Sequence, residues 1–310
     1  LKTPLSAPFV AALQPYGALS RLEAAWLPPC CLLCAGPGWS GLDLCRACLS
    51  ILPAMHRARD GLRACIGCGE DIPEPIDPMR RAAPPPAEQP AEALADEPAD
   101  EPAFARSVRC GPCRQRIAPF DRLIAPWRFA APIDTWVRSL KHDGSRAVAR
   151  VFGAAIARTV VASASAGTPA RRSLALPDSS PPLLIPVPMH ARRLRARGFN
   201  QAEAIARWAG RDLGLRVEAR AAVRVLDTGS LAERSRAERQ LAIRGAFRVA
   251  AEVADRHVVL VDDVLTTGAT ASELARECHD TGAASVSLWV AARTCVAPDS
   301  SRDSTTGRAA

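Results

Sequence analysis

Two constellations in this chain have the residue types and spacing for chemistry. The first is HVVLVDDVLTTGAT, residues 257–270. An apolar run ends in two adjacent carboxylates, Asp262 and Asp263, and Thr266, Thr267, Gly268, Ala269 and Thr270 come after them. A strand that ends in acids before a glycine turn and a helix start puts a ligand at the carboxyl end of a parallel sheet. The first amides of the helix favour an anion. The threonines add hydroxyl donors, and Gly268 lets the backbone come close. Carboxylates cannot hold phosphate, but they accept hydrogen bonds from sugar hydroxyls, so a sugar phosphate satisfies both halves of the motif. A Walker B strand also ends in acids. It needs a GxxxxGK[ST] loop upstream, and this chain contains no Gly-Lys pair.

The second constellation is a series of CxxC pairs: Cys31/Cys34, Cys45/Cys48, Cys65/Cys68 and Cys110/Cys113. Each places two thiolates on one tight turn, and two such turns complete a tetrahedral all-sulfur site suited to zinc. Four turns predict two structural zinc ions. Gly67, Gly69 and Gly111 supply tight backbone. Neighbouring pairs would give Cys31/34/45/48 and Cys65/68/110/113; interleaved pairing is the alternative. A redox pair would be one motif at a helix start, not four in a row. Cys30 is spare, and Cys278 and Cys295 fall in apolar patterns that read as core.

The elements that must hold these sites alternate from about residue 120. RLIAPWRF reads as a strand or hairpin, and PIDTWVRSLK and RAVARVFGAAIARTVVA as helices. SASAGTPARRSLALPDSSPP is a loop and LLIPVP a short buried strand. FNQAEAIARWAGRDLG is an amphipathic helix, VEARAAVRVL a strand, and ERSRAERQLAIRGAF helical or mobile. HVVLVDDV, TASELARECHDTGA and SVSLWVAAR complete the series as strand, helix and strand. Such alternation implies an α/β fold with a parallel sheet flanked by helices. The expected organisation is an extension over 1–25, a cysteine-rich zinc-ribbon domain over 26–118, an α/β domain over 119–296 and a loose tail over 297–310. Residues 70–103 are rich in proline, alanine and acids, cannot bury a core, and read as a disordered insert.

Charge is unevenly spread. The net charge is +8, yet residues 69–103 carry ten acids and two arginines, leaving +16 on the remainder. A basic body suits phosphates, nucleotides or nucleic acid. Arg192, Arg193, Arg195 and Arg197 crowd into six positions after LLIPVP, where a basic loop would meet phosphate. Only Lys2 and Lys141 are lysines, so Lys141, at the end of a helical segment, is a candidate site residue as well as a helix-end cation. His142 and His190 read as polar-loop residues. Trp127, Trp136, Trp208 and Phe199 fit apolar faces better than base-stacking positions. No apolar run is long enough for a membrane span, and no signal peptide pattern opens the chain, so the expectation is a cytoplasmic protein.

The stretch 257–270 resembles the phosphoribosyl-pyrophosphate (PRPP) signature of type I phosphoribosyltransferases. With the CxxC pairs, WRFAAPIDTWVRSLKHDG and IPVPMHARRLRARGFNQAEAIA in that order, the chain resembles the ComF family, related to competence for DNA uptake, over roughly residues 26–293. The resemblance implies a type I phosphoribosyltransferase-like fold with a double zinc ribbon. Asp262 and Asp263 would contact the ribose hydroxyls, and residues 266–270 would wrap the 5-phosphate. Arg192 or Arg193 would face the diphosphate from a pyrophosphate loop. Residues 230–247 would form a hood, with Arg236, Arg239 and Arg244 as candidates to reach the leaving group. Mg²⁺ would be carried mainly by PRPP oxygens. The implied function is phosphoribosyl transfer to an acceptor that the sequence does not specify. The other reading is a non-catalytic module that binds single-stranded nucleic acid and senses PRPP or a nucleotide.

Overall fold

A computed structural model describes residues 29–55, 62–65, 68–69, 71–73, 110, 113, 120–165, 181–228 and 236–294. The expected extension, most of the acidic insert, the tail and Cys295 lie outside the described residues.

The centre is a five-stranded parallel sheet. Strands β3 (Arg122–Ile124) and β4 (Trp127–Arg128) both pair with β9 (Ser285–Arg293). β9 pairs with β8 (His257–Leu265), and β8 with β5 (Leu183–Pro186). RLIAPWRF is therefore no hairpin: both of its pieces run parallel to the same neighbour. Among the described residues, β8 and β9 carry continuous apolar runs because both faces of the sheet are covered. Alternate residues serve opposite layers, as the two-residue period of a strand requires. Val259, Val261, Trp289 and Ala291 pack with Phe152 and Ile205 on one side; Val258, Leu260, Leu288 and Val290 pack with Leu274 and Phe247 on the other.

The first layer contains α2 (Ile133–Asp143), α3 (Arg146–Ser165) and α5 (Gln201–Leu213). Trp127 and Trp136 are buried there against Phe152, and Phe199 and Trp208 pack at its margin, so the aromatic residues serve the core as expected. The second layer contains α7 (Ala269–Asp280) and a small antiparallel pair, β6 (Ala222–Arg224) with β7 (Phe247–Val249), preceded by α6 (Arg236–Ile243). Cys278 is fully buried in this layer.

The cysteine-rich region is docked on the α/β body. Its helix α1 (Arg46–Ile51) leads to residues 53–55, which add backbone hydrogen bonds to the edge at Pro126 and Arg128. Leu42, Leu44 and Leu52 join the first core layer, and buried Asp43 pairs with Arg150 of α3. Strand β1 (Leu62–Ala64) pairs with β2 (Asp71–Pro73). Residues 71–73, which fall within the expected insert, therefore form a strand paired across the third CxxC. One correction concerns the arginine-rich segment. ARRLRAR forms α4 (Ala191–Arg197) and is not an open loop, because the stretch holds only helix-favouring residues before Gly198 ends it in the left-handed conformation.

Among the described residues, no helix is long and apolar enough to cross a membrane.

Candidate functional site

β5 ends at Pro186 opposite Val261 of β8, which runs on to Leu265, and the segments after the two strands bound the candidate site. β8 runs through Asp262 and Asp263 before the turn 266–268. Both carboxylates brace the strand end: Asp262 Oδ1 accepts from the Asp263 N–H at 2.9 Å, and Asp263 Oδ1 accepts from the Val264 N–H at 2.8 Å. Burial first, and then the neighbouring Asp263 charge, push the Asp262 carboxyl up to about 8. Lys141, in the last turn of α2, works against that rise. Its Nζ lies 2.8 Å from Asp263 Oδ2. The single internal lysine therefore supplies the cation beside the acid pair.

Gly268 caps the amino end of α7 with φ +78°, a conformation that costs other residues strain. Ordinary space surrounds its missing Cβ, with Leu265 Cδ1 at 3.5 Å and Ser272 Oγ at 3.8 Å, so the φ angle is what calls for glycine here. The first turn of α7 contains no acidic residue, and the amides of residues 269–271 precede the first i→i−4 bond, Ser272 N–H to the Gly268 carbonyl. These groups and the Thr266, Thr267 and Thr270 hydroxyls suit an anion. Thr267 Oγ1 already lies 3.5 Å from the Ala269 amide.

The basic wall comes from α4 and β6. His190 bridges Arg224 in β6 and lies 3.7 Å from Asp227; Arg192 lies 3.8 Å from the same carboxylate. Burial and the like charge of Arg193 lower the Arg224 pKa, and Asp227 and Asp262 oppose that shift. Arg197 is lowered for the same two reasons, with Asp263 opposing. Arg197 thus feels Asp263, and Arg224 feels Asp262, with the Arg193 charge beside both arginines. Arg244 is exposed, and the side chains of Arg236 and Arg239 lie outside the described residues. Sequence reasoning missed Arg224, the last residue of β6, and Asp227, three positions beyond it. Their one signal is a charged residue among the apolar residues 221–226.

The cysteines converge as neighbouring pairs. The sulfurs of Cys31, Cys34, Cys45 and Cys48 lie within 4.8 Å of one another, as do those of Cys65, Cys68, Cys110 and Cys113. This resolves the pairing against the interleaved alternative. A Zn–S bond of about 2.3 Å in a tetrahedron separates sulfurs by about 3.8 Å; Cys34–Cys45 and Cys68–Cys110 are each 3.7 Å apart, too far for a disulfide. Backbone amides support the sulfurs: Cys48 N–H donates to Cys45 Sγ and Cys110 N–H to Cys65 Sγ. Both sets fit zinc in ligand type, number and spacing. Among the described residues no other group of three or more ligating side chains converges.

No family model matches the chain. Among solved structures, TT1426 from Thermus thermophilus shares 18% identity, with a TM-score of 0.27 over 49% of this chain and 84% of that one. The chain is 34% identical over 188 residues to DNA utilization protein YhgH of Salmonella typhi, covering 61% of this chain and 79% of that protein. It is 27% identical over 193 residues to Competence protein F of Haemophilus influenzae, covering 59% and 78%. On the identity and coverage shared with these two relatives, the parallel α/β sheet and the two four-cysteine sets, this chain belongs to the ComF family.

Proposed function

We propose that the carboxyl end of β8 binds PRPP with Mg²⁺, and that the protein transfers the phosphoribosyl group to an acceptor in a process linked to DNA uptake. The observation that carries this reading is the Asp262–Asp263 pair, held by Lys141, directly before a glycine-capped helix start free of acids. The pair accepts hydrogen bonds from the ribose 2- and 3-hydroxyls. The amides and hydroxyls of residues 266–270 take the 5-phosphate. Arg192 and Arg193 of α4, with Arg197 and Arg224 beside them, face the diphosphate. Mg²⁺ bound with PRPP neutralises diphosphate charge. Displacement of pyrophosphate breaks the bond from the anomeric carbon to the diphosphate oxygen, and the acceptor's electron pair forms the new bond. Positive charge grows on the sugar, where carboxylate charge at the end of β8 stabilises it, and negative charge grows on the leaving group, where the arginines stabilise it. The relatives' names supply the link to DNA.

A second reading is a module that binds single-stranded nucleic acid, with PRPP or a nucleotide as a sensed ligand. It is favoured by α4, whose four arginines leave Arg192 81% exposed by side chain. The two readings differ in what PRPP does. Incubation with PRPP and Mg²⁺, with each of the common nucleobases added in turn, measures pyrophosphate release. Acceptor-dependent release supports transfer. Tight PRPP binding with no release under any acceptor, joined to salt-sensitive binding of single-stranded DNA, supports the module.

A further inference from the structure

We propose that the second four-cysteine set, Cys65/68/110/113, positions the phosphate turn, and that Arg293 is the residue through which it acts. The functional consequence rests on the sugar-phosphate reading above; the structural coupling does not.

Arg293 is the last residue of β9 and is only 9% exposed. Its guanidinium ties two sites together. Nε donates to the Cys68 carbonyl at 2.6 Å. Nη1 donates to the Leu265 carbonyl at 3.1 Å and also reaches the carbonyls of Thr266 and Thr294. Leu265 and Thr266 are the last strand residue and the first turn residue before Gly268, immediately after the acid pair. Thr294 closes the same knot, its N–H donating to the Leu265 carbonyl at 3.0 Å. One buried arginine thus joins a carbonyl on a metal-ligating cysteine to the backbone that sets the phosphate turn.

Two further features make this contact depend on the metal. Gly69, at φ +71°, lets the cysteine knuckle lie directly on the arginine: a Cβ there would sit 3.0 Å from Arg293 Cγ and 2.9 Å from Leu123 Cδ2. The knuckle is short, and bound metal fixes Cys65 and Cys68, and so the direction of the Cys68 carbonyl. Four thiolates around a divalent ion also leave a net negative charge, which favours a buried guanidinium beside it. Without the metal the knuckle is free to shift, Arg293 loses an oriented acceptor, and its grip on Leu265 and Thr266 loosens. The first four-cysteine set makes no side-chain hydrogen bond to Arg293 among the described contacts; it packs against α3 through Asp43 and Arg150, and the segment after it reaches β9 only through backbone pairing of residues 53–54 with β4.

The test uses full-length zinc-loaded protein and three variants: Cys113→Ser, Cys48→Ser and Arg293→Lys. Lysine keeps the charge but cannot span the four carbonyls. Hydrogen–deuterium exchange over residues 262–272 is read without any ligand, with zinc content and global unfolding measured alongside. Cys113→Ser and Arg293→Lys should each speed exchange in the turn about tenfold, while Cys48→Ser, which also loses one zinc, should leave it unchanged. PRPP affinity should fall about tenfold in the same two variants. Arg293→Lys with full zinc and unchanged turn exchange would overturn the proposal, even if Cys113→Ser failed to fold. Equal effects of Cys48→Ser and Cys113→Ser on the turn would overturn it too, because the coupling would then be general destabilisation. If turn exchange responds as expected but the unmodified protein binds no PRPP, the coupling stands and the sugar-phosphate reading falls.

Discussion

Replacing Lys141 with methionine should destabilise the empty protein, and more so at alkaline than at acid pH. The lysine lies 2.8 Å from Asp263 Oδ2, with its side chain 36% exposed and that of Asp263 10% exposed. Loss of one partner from a fully buried pair costs about 3–5 kcal/mol, and an exposed pair contributes about 0–1 kcal/mol. The partly exposed lysine puts this site between those limits, at about 2 kcal/mol when both carboxylates are ionised. The pH dependence comes from Asp262. Its folded value is raised to about 8, so between the ordinary carboxylate range and pH 8 the folded chain holds a proton that the unfolded chain releases. Its contribution is therefore fully present at low pH and lost as pH rises through the folded value. Lys141 opposes that rise, so without it the loss is larger at high pH. At pH 5.5 Asp262 holds its proton and adds no charge beside the lysine, so the cost should be smaller, about 1 kcal/mol. Urea unfolding at pH 5.5 and 8.5, with zinc retained, reads both values. In the thermal transition a loss of about 2 kcal/mol corresponds to roughly 4–8 °C for a domain of this size. Adding Asp263→Asn to the variant should recover most of the loss at pH 8.5. An equal loss at both pH values, or none at pH 8.5, would refute this account of the acid pair.

Metal analysis of protein purified without chelator should find about two zinc ions per chain; Cys31→Ser and Cys65→Ser should each remove one, and Cys278→Ser none, since that thiol is buried in the α7 layer and belongs to neither set. Gly268→Val should lower stability by about 1–2 kcal/mol through its φ of +78° and weaken PRPP binding more than stability, as read by calorimetry beside a melting curve. Deleting residues 74–103 should strengthen any binding of single-stranded DNA, measured by fluorescence anisotropy across a salt series, because that segment opposes the positive charge of the remainder; unchanged affinity would mean the acidic segment does not compete.

Much of this fold was legible because its informative residues are local. The apolar runs of β8 and β9, the glycine after the acid pair and the helix periodicity of α5 and α7 are each contiguous, and the CxxC spacing is a ligand geometry in itself. The acid pair and Lys141 each stand out in the sequence, but their meeting does not, since it depends on α2 packing across the carboxyl end of β8. Arg224, Asp227 and Arg293 were invisible for the same reason: each looks like an ordinary strand or loop residue until distant elements bring partners to it. Glu273 is similar. It reads as a helix surface acid, yet it is buried and its Oε1 accepts the Gly245 N–H at 2.7 Å, joining α7 to the segment before β7. Position also misled in one place. Location after IPVP suggested a phosphate loop at residues 192–197, but the arginines and alanines there favour helix, and helix is what forms.

Titration of PRPP by calorimetry in the presence of Mg²⁺, into the unmodified protein and into the Asp262→Asn, Asp263→Asn double variant, tests the central claim most directly. Binding to the first, no binding to the second, and unchanged zinc content in both are the results predicted. Absence of binding to the unmodified protein at millimolar PRPP, or equal binding to the two proteins, would contradict the placement of a sugar phosphate at the end of β8.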